Sequence, residues 1–342
     1  MYPNSLDYHR IHSMKAVVIT KFGGPEVLAI QEVPTPQPGP GQVLVRVHAT
    51  ALNRADLLQR QGKYPAPQGV VQNIPGLEFA GEVAELGPGA TYWEKADRVF
   101  GLTPGGAHAG YVVVEEGRLA AIPGGMDWVT AAAIPEVFIT AYDALISQAR
   151  MQLGDRVLIH AVGSGVGLAA VQITRAFGAV PYGTSRTPDK IDRAKQYGLE
   201  AGCVVDERLS QLEAFAKSSA DGSGFNVVLD LVGGPYVAAS LSVLTQKGRI
   251  MLIATMAGND VTLPLHQLLS RRAHLIGTIL RARPVEEIAE VVRAFSQHVV
   301  PLFATGKLRP VIDKAFIISN IQEAHRYQES NQSFGKVILT IA

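Results

Sequence analysis

Hydrophobic residues run along this chain in two rhythms. From Met14 to about Gly125 they come in short runs cut by glycine and proline. In "EVPTPQPGPGQVLVRVHATAL" a proline-rich loop precedes an alternation that puts Val43, Val45 and Val47 on one face. Period-two alternation between turn signals predicts strands, and "LEFAGEVAELG", "DRVFGL" and "AGYVVVEEGRLAAIP" continue the style, so this part reads as a β-rich, barrel-like domain. Near Thr130 the period lengthens: "TAAAIPEVFITAYDALI" is helical, with Thr130 as the expected N-cap. Strands are then predicted at 156–160, 179–184, 203–206, 225–230, 248–254 and 273–280. Helices fall between and after them at 166–177, 188–197, 209–218, 234–244 and 263–271. That alternation predicts an α/β fold with a doubly wound parallel sheet. A long helix (285–304), a strand (310–316), a capped helix (320–329) and "GKVILTI" do not extend the repeat and are expected to return to the first domain. The expected division is an extension over 1–13, a first domain over 14–137 and 281–342, and a second domain over 138–280.

Composition narrows the classes. A chain of 342 residues is long enough for two cores. With 18% charged residues and a net charge of +1, it offers no field for nucleic acid or an anionic membrane. No apolar run is expected to reach the roughly 18 residues a membrane span needs. Cys203 is the single cysteine, which excludes an intrachain disulfide and a cysteine zinc cluster and favours a cytoplasmic setting. "MYPNSLDYHRIHS" lacks the apolar core of a secretory signal, and residues 1–13 are expected to be a mobile extension.

The stretch 157–186 carries the first chemistry. "VLIH" is a short strand, "AVGSGVG" a turn, and "LAAVQITRAFG" an amphipathic helix, the setting in which a glycine loop holds a dinucleotide. Gly165 and Gly167 let the backbone approach a pyrophosphate, and the N–H groups around Val166 would face the anion. Ser164 and Val162 stand where the common fingerprint has glycine, and a serine there can offer its hydroxyl to phosphate. An NAD site usually places Asp or Glu at the end of the next strand. Here "YGTSRTPDK" offers Ser185, Arg186 and Lys190, with Thr187 and Pro188 opening a helix and Asp189 diluting the positive charge. A 2′-phosphate wants cations and hydroxyls, which favours NADPH; the alternative is a solvated helix start with two incidental basic residues.

"QPGPGQVLVRV", "ALNRADLLQRQGKYP", "PGLEFAGEVAELG" and "AAAIPEVFITAYDAL" resemble the zinc-free medium-chain dehydrogenases/reductases of the quinone oxidoreductase type, over nearly all the chain after Met14. The resemblance implies a GroES-like catalytic domain, a Rossmann domain, an active site in the cleft between them, and NADPH-dependent reduction of quinones or similar electron-poor enones. Where zinc-using relatives place Cys, His and Cys, this sequence has Asn53 or its neighbours, Leu77 and the "IPEV" segment, so no catalytic metal is expected. A quinone is electrophilic enough to take hydride without a Lewis acid; the protein must orient it and hydrogen-bond the developing oxyanion.

By that resemblance Tyr64 covers the nicotinamide and hydrogen-bonds substrate or cofactor, and Asn53 is a neutral donor. Asp56 is either a cleft carboxylate or a structural helix-start residue, and water is an alternative proton source. Glu136 resembles the family's glutamate at the nicotinamide end, although a helix-dipole role is equally physical. Ala254, Thr255 and Met256 follow a strand end and are expected on the nicotinamide side. Leu280 and Arg281 are expected there too, with Lys336 of "NQSFGKV" near the cofactor. The pattern most resembled has a tyrosine after the third strand of the second domain, where this chain has Val205 and Asp206. His160 is expected to be structural, His108 solvated in its glycine-rich turn, and Cys203 a small core residue. "AHLIGTIL" reads as an apolar edge strand that would pair with its symmetry mate in a homodimer, as the family implies. Two competing readings are an enoyl-thioester reductase and a low-turnover NADPH-binding structural or regulatory protein.

Overall fold

The computed structural model describes residues 13–219 and 222–341. The expected extension lies outside the described residues apart from Ser13, which opens the first strand. Seven strands come first: β1 (Ser13–Ile19), β2 (Leu28–Pro34), β3 (Gln42–Leu52), β4 (Glu78–Leu86), β5 (Arg98–Leu102), β6 (Tyr111–Glu115) and β7 (Leu119–Ala121). Six follow: β8 (Arg156–Ile159), β9 (Val180–Ser185), β10 (Ala201–Val204), β11 (Phe225–Asp230), β12 (Leu244–Leu252) and β13 (His274–Gly277). The chain closes on β14 (Ile312–Ile317) and β15 (Lys336–Thr340). Two compact units result, one of residues up to Glu136 with 281–306 and 310–342, the other of 137–280 with 307–309.

In the first unit a sheet of order β14-β15-β3-β4-β5-β7 carries β6 on β3, beside a separate β1-β2 hairpin. Val43, Val45 and Val47 are buried with Phe79, Val83, Val99 and Val112, while Arg46 between them is exposed. Each such valine contributes about 1.5–3 kcal/mol by leaving water. The C-terminal return is a pairing: β15 lies antiparallel to β3, Val337 opposite Leu52 and Thr340 opposite Ala49. The expected helix 285–304 is divided into Val285–His298 and Val300–Ala304. Pro301 has no N–H to continue the ladder and is tolerated only in a first turn. Helix Trp128–Ala132 is capped by Asp127, not Thr130: the Asp127 carboxylate accepts from the Thr130 N–H (2.8 Å) and hydroxyl (2.8 Å).

The second unit is a parallel sheet of order β10-β9-β8-β11-β12-β13. Its order reverses between β8 and β11, the switch point outside which α/β sheets bind ligands. Leu158, Tyr182, Phe225, Val228, Leu241 and Leu244 form its core with Ile250. Element edges move by a few residues from expectation, most at β12, which begins at Leu244 rather than at 248. One expectation needs correcting. Helical turns run continuously from Trp128 to Gln148, the one described segment long and apolar enough to cross a membrane. Of its apolar window 78% is buried inside the protein, which makes it a core helix.

Candidate functional site

In the first unit the chemistry gathers around Glu78, a carboxylate at the start of β4 that the sequence reading passed over. Glu78 is fully buried and ion-paired to Lys336, Nζ to Oε1 2.6 Å. Asn53 Nδ2 donates to the same oxygen (2.8 Å), and the backbone N–H of Glu136 donates to Oε2 (2.8 Å). Lys336 completes its set on the Leu52 carbonyl (3.0 Å) and Asn53 Oδ1 (2.8 Å). One carboxylate at the start of β4 therefore ties together the end of β3, the first residue of β15 and Glu136 within the segment Trp128–Gln148. A buried pair of this kind is tolerable because every donor and acceptor is met. The Glu136 carboxyl makes no hydrogen bond among the described residues. Burial first, then the like charge of Glu78, pushes it up to about 8, against the pull of Lys336.

Several expected roles change. Asp56 is not a free cleft carboxylate: it is fully buried and accepts from the backbone N–H groups of Asn53 (2.7 Å) and Gly76 (2.9 Å), closing the first turn of helix Arg54–Arg60. Asn53 is not a spare donor, since its amide is engaged by Lys336 and Glu78. Lys336 points its ammonium at Glu78 within the same unit. Arg281 is spent on the Pro104 carbonyl (2.7 Å), the Tyr64 carbonyl (3.2 Å) and Gln59 Oε1 (2.6 Å), with its guanidinium 4.9 Å from the Tyr64 ring. It fixes Tyr64, whose phenol burial raises while Arg281 pulls it down. Leu280 beside it is buried. His108 is not solvated: it is fully buried, Nε2 3.4 Å from the Ala51 carbonyl, its Nδ1 without a partner. Gly76, at φ +106°, leaves it room, since a Cβ there would lie 2.5 Å from the His108 backbone nitrogen and 2.6 Å from its ring Cδ2.

The second unit holds the glycine loop. Ser164 caps helix Gly165–Ala176 by accepting from the Gly167 N–H (3.1 Å), leaving the N–H groups of Gly165 and Val166 at an anion-favouring helix start. A Cβ on Gly167 would sit 2.7 Å from the carbonyls of Ala161 and Val162, so helix and strand approach only because it is glycine. His160 is structural, held between the hydroxyls of Thr184 and Ser240 (2.9 Å each) and pushed down to about 3 by burial. At the end of β9, Ser185 is buried and accepts from the Thr187 N–H (3.2 Å), while Arg186 is exposed. Lys190 lies against the loop: a Cβ on Gly163 would be 2.8 Å from its Cδ. Cys203 is buried in β10. Tyr236, which the sequence reading passed over, stacks edge-on against His160 at 4.9 Å. Burial raises its phenol and the Arg186 guanidinium pulls it down. Its phenol lies within electrostatic reach of Arg186 and of Asp206, the position beside Val205 where the resembled pattern has a tyrosine. Beyond β12, Ala254 is half-buried and Thr255 and Met256 are exposed. The Ala257 N–H donates to the Val232 carbonyl (2.8 Å), and Gly233 abuts the Ala254 carbonyl, so the loops after β11 and β12 are locked together.

The donors do not suit a catalytic zinc. Among the described residues no three His, Cys, Asp or Glu side chains converge, and both Glu78 oxygens are already committed, one of them to an ammonium. The residues do fit a nicotinamide nucleotide, through the helix start at Ser164 and the hydroxyls and cation at the end of β9.

Comparison with known proteins agrees with this class of enzyme. Residues 39–124 match the alcohol dehydrogenase GroES-like domain and residues 165–297 the zinc-binding dehydrogenase family. The chain is 30% identical to human quinone oxidoreductase over 334 residues, 96% of this chain and 98% of that protein. It is 33% identical over 313 residues to the pikromycin polyketide synthase component PikAII of Streptomyces venezuelae, covering 91% of this chain but 8% of that protein. Mycobacterial Rv1454c complexed with NADPH superposes with a TM-score of 0.86 at 26% identity, over 96% of this chain and all of that one. The chain belongs to the medium-chain dehydrogenase/reductase superfamily, with quinone oxidoreductases among its relatives. It is an oxidoreductase of the kind that works with a nicotinamide cofactor.

Proposed function

We propose that the chain is an NADPH-dependent reductase of quinones or similar electron-poor enones, that it needs no metal, and that it acts as a homodimer in the cytoplasm. The observation that carries the coenzyme choice is the end of β9, where Ser185 and Arg186 stand in place of an acid and Lys190 lies against the glycine loop. A cation and hydroxyls accommodate a 2′-phosphate that a carboxylate would repel. The full-length similarity to human quinone oxidoreductase supports the substrate class. The reduced nicotinamide supplies the hydride; Tyr64, steadied by Arg281, orients the acceptor. Ser164, Gly165, Val166 and Gly167 hold the pyrophosphate, and Ala254, Thr255 and Met256 border the nicotinamide. The dimer is supported by β13, an edge strand whose Leu275 is exposed, with Leu265 and Leu269 exposed on the adjoining helix Leu265–Arg271. An open apolar edge in water is a liability that pairing removes.

The test is oxidation of NADPH and of NADH, in parallel, with 9,10-phenanthrenequinone and with crotonyl-CoA, with and without a chelator. The expected result is NADPH-preferring quinone turnover that the chelator leaves intact. Arg186→Ala should cost at least tenfold in kcat/KM for NADPH and little for NADH. Crotonyl-CoA turnover without quinone turnover would make it an enoyl-thioester reductase, and no turnover with tight NADPH binding would make it a binding protein.

A further inference from the structure

Glu78 accepts three hydrogen bonds inside the first unit, and neither the coenzyme nor the glycine loop accounts for it. A carboxylate merely filling a strand start would face solvent. This one is sealed in, neutralised by Lys336, bonded by Asn53, and spends its second oxygen on the peptide N–H of Glu136. That last bond fixes where the Glu136 side chain begins, while its carboxyl takes no hydrogen bond among the described residues. We propose that Glu78 is a positioning residue, clamped by Lys336 and Asn53, and that it holds Glu136 as the acid that protonates the reduced substrate oxygen. The inference rests on the reading of the reaction given above.

The chemistry balances. Hydride adds to the quinone, which gains two electrons and a hydrogen, and leaves one oxygen as an anion while the nicotinamide is oxidised. The O–H bond of Glu136 breaks, its proton forms the new O–H bond on that oxygen, and the carboxylate regains a proton from water. For this Glu136 must be protonated at neutral pH, and its surroundings favour that. The groups that act on it are Glu78 and Asp56, which disfavour its ionisation, and Lys336 and Arg281, which favour it. The Tyr64 phenol lies within electrostatic reach, and His108, buried and therefore neutral, borders Asp56, Glu78 and Lys336. Burial and Glu78 prevail, at about 8. An acid poised just above the working pH is suited to proton donation. The Lys336 ammonium is paired with Glu78, and the charge of Glu78 disfavours ionisation of Glu136.

The experiment has two readouts. In the pH dependence of kcat/KM for quinone, the parent should lose activity on the alkaline side with an apparent pKa near 8. Glu136→Gln should lose roughly 100-fold at neutral pH, the lower end for a general acid, and lose that limb. Glu136→Asp should recover the limb, and Glu78→Gln should move it to lower pH because a like charge has gone. Infrared titration supplies the second readout without substrate: the parent at pH 7 should show a protonated-carboxyl band that Glu136→Gln removes. Should Glu78→Gln not fold, that band and the Glu136 variants still decide the matter. A parent without quinone turnover would sink the substrate reading. Quinone turnover with an unchanged pH profile in Glu136→Gln, or no band at pH 7, would overturn this one.

Discussion

At Glu78 the side chains of residues as far apart as Asn53 and Lys336, 283 positions, are brought together by strand pairing. At the glycine loop the working groups are mostly backbone N–H groups of neighbouring residues, and the side chains around them serve to shape the turn. The first arrangement depends on charge in a dry interior and is brittle to any change of charge. The second depends on the close approach of helix and strand and is brittle to any added volume. The contrast predicts which substitutions hurt, and by what mechanism.

The largest effect should come from breaking the ion pair. Lys336→Met leaves the Glu78 carboxylate buried without its cation, which costs about 3–5 kcal/mol in comparable pairs. Denaturant unfolding should show that loss, and Glu78→Gln/Lys336→Met should recover much of it, since the orphaned charge is what hurts. A loss no larger than about 1 kcal/mol, the range of exposed pairs, would mean that the cluster is wetter than its burial implies.

The same contrast explains what could be read from the sequence. The glycine loop was legible because a strand, a turn and a helix follow one another within 157–177, and the end of β9 comes at the next sequence landmark. The two-unit fold was legible for the same reason, from a change of hydrophobic period at Thr130. Glu78 was not, although it lies in the quoted "PGLEFAG": one acid in an apolar run declares nothing until pairing of β3 with β4 and β15 brings Asn53 and Lys336 to it. Its signal was its cost, because a carboxylate in a strand otherwise apolar needs a partner. Lys336, Asp56 and Arg281 were singled out by position, but their partners were not legible, since only three-dimensional contacts show where a donor is spent. His108 misled because a glycine-rich turn usually faces water, whereas here Gly76 makes room for the ring.

On the backbone side, Gly167→Ala should cost about 1–3 kcal/mol in stability, the range for forced overpacking. Calorimetry should show weakened NADPH binding in parallel. The added methyl would meet two carbonyl oxygens at 2.7 Å, and backbone atoms cannot step aside as a flexible side chain can. Unchanged binding would show that the helix start is looser than the contacts require. His160 gives the comparison a pH dimension. Its imidazole in the folded protein is lowered to about 3 from the ordinary 6.5. The unfolded chain therefore takes up a proton below pH 6.5 that the folded one refuses. The stability associated with neutral His160 is present above pH 6.5 and is lost as pH falls toward 3. The slope from this group is about 1.4 kcal/mol per pH unit, and His160→Gln should flatten it between pH 6.5 and 5.5.

The smallest effect is the most discriminating between the two modes. Ser164→Ala removes the hydroxyl that accepts from the Gly167 N–H, and a lost N-cap costs about 1 kcal/mol. If the loop binds pyrophosphate through its backbone, the vacated N–H joins those of Gly165 and Val166 in facing the anion. Coenzyme affinity should then fall by less than tenfold, and bound NADPH should restore part of the lost melting temperature by mass action. If the serine hydroxyl is itself the phosphate donor, the affinity loss should exceed what the stability loss explains. Titration of NADPH into both proteins, with melting followed at each concentration, separates the two: with affinity nearly kept, saturating coenzyme leaves the gap between variant and parent almost unchanged, whereas a lost phosphate donor widens it.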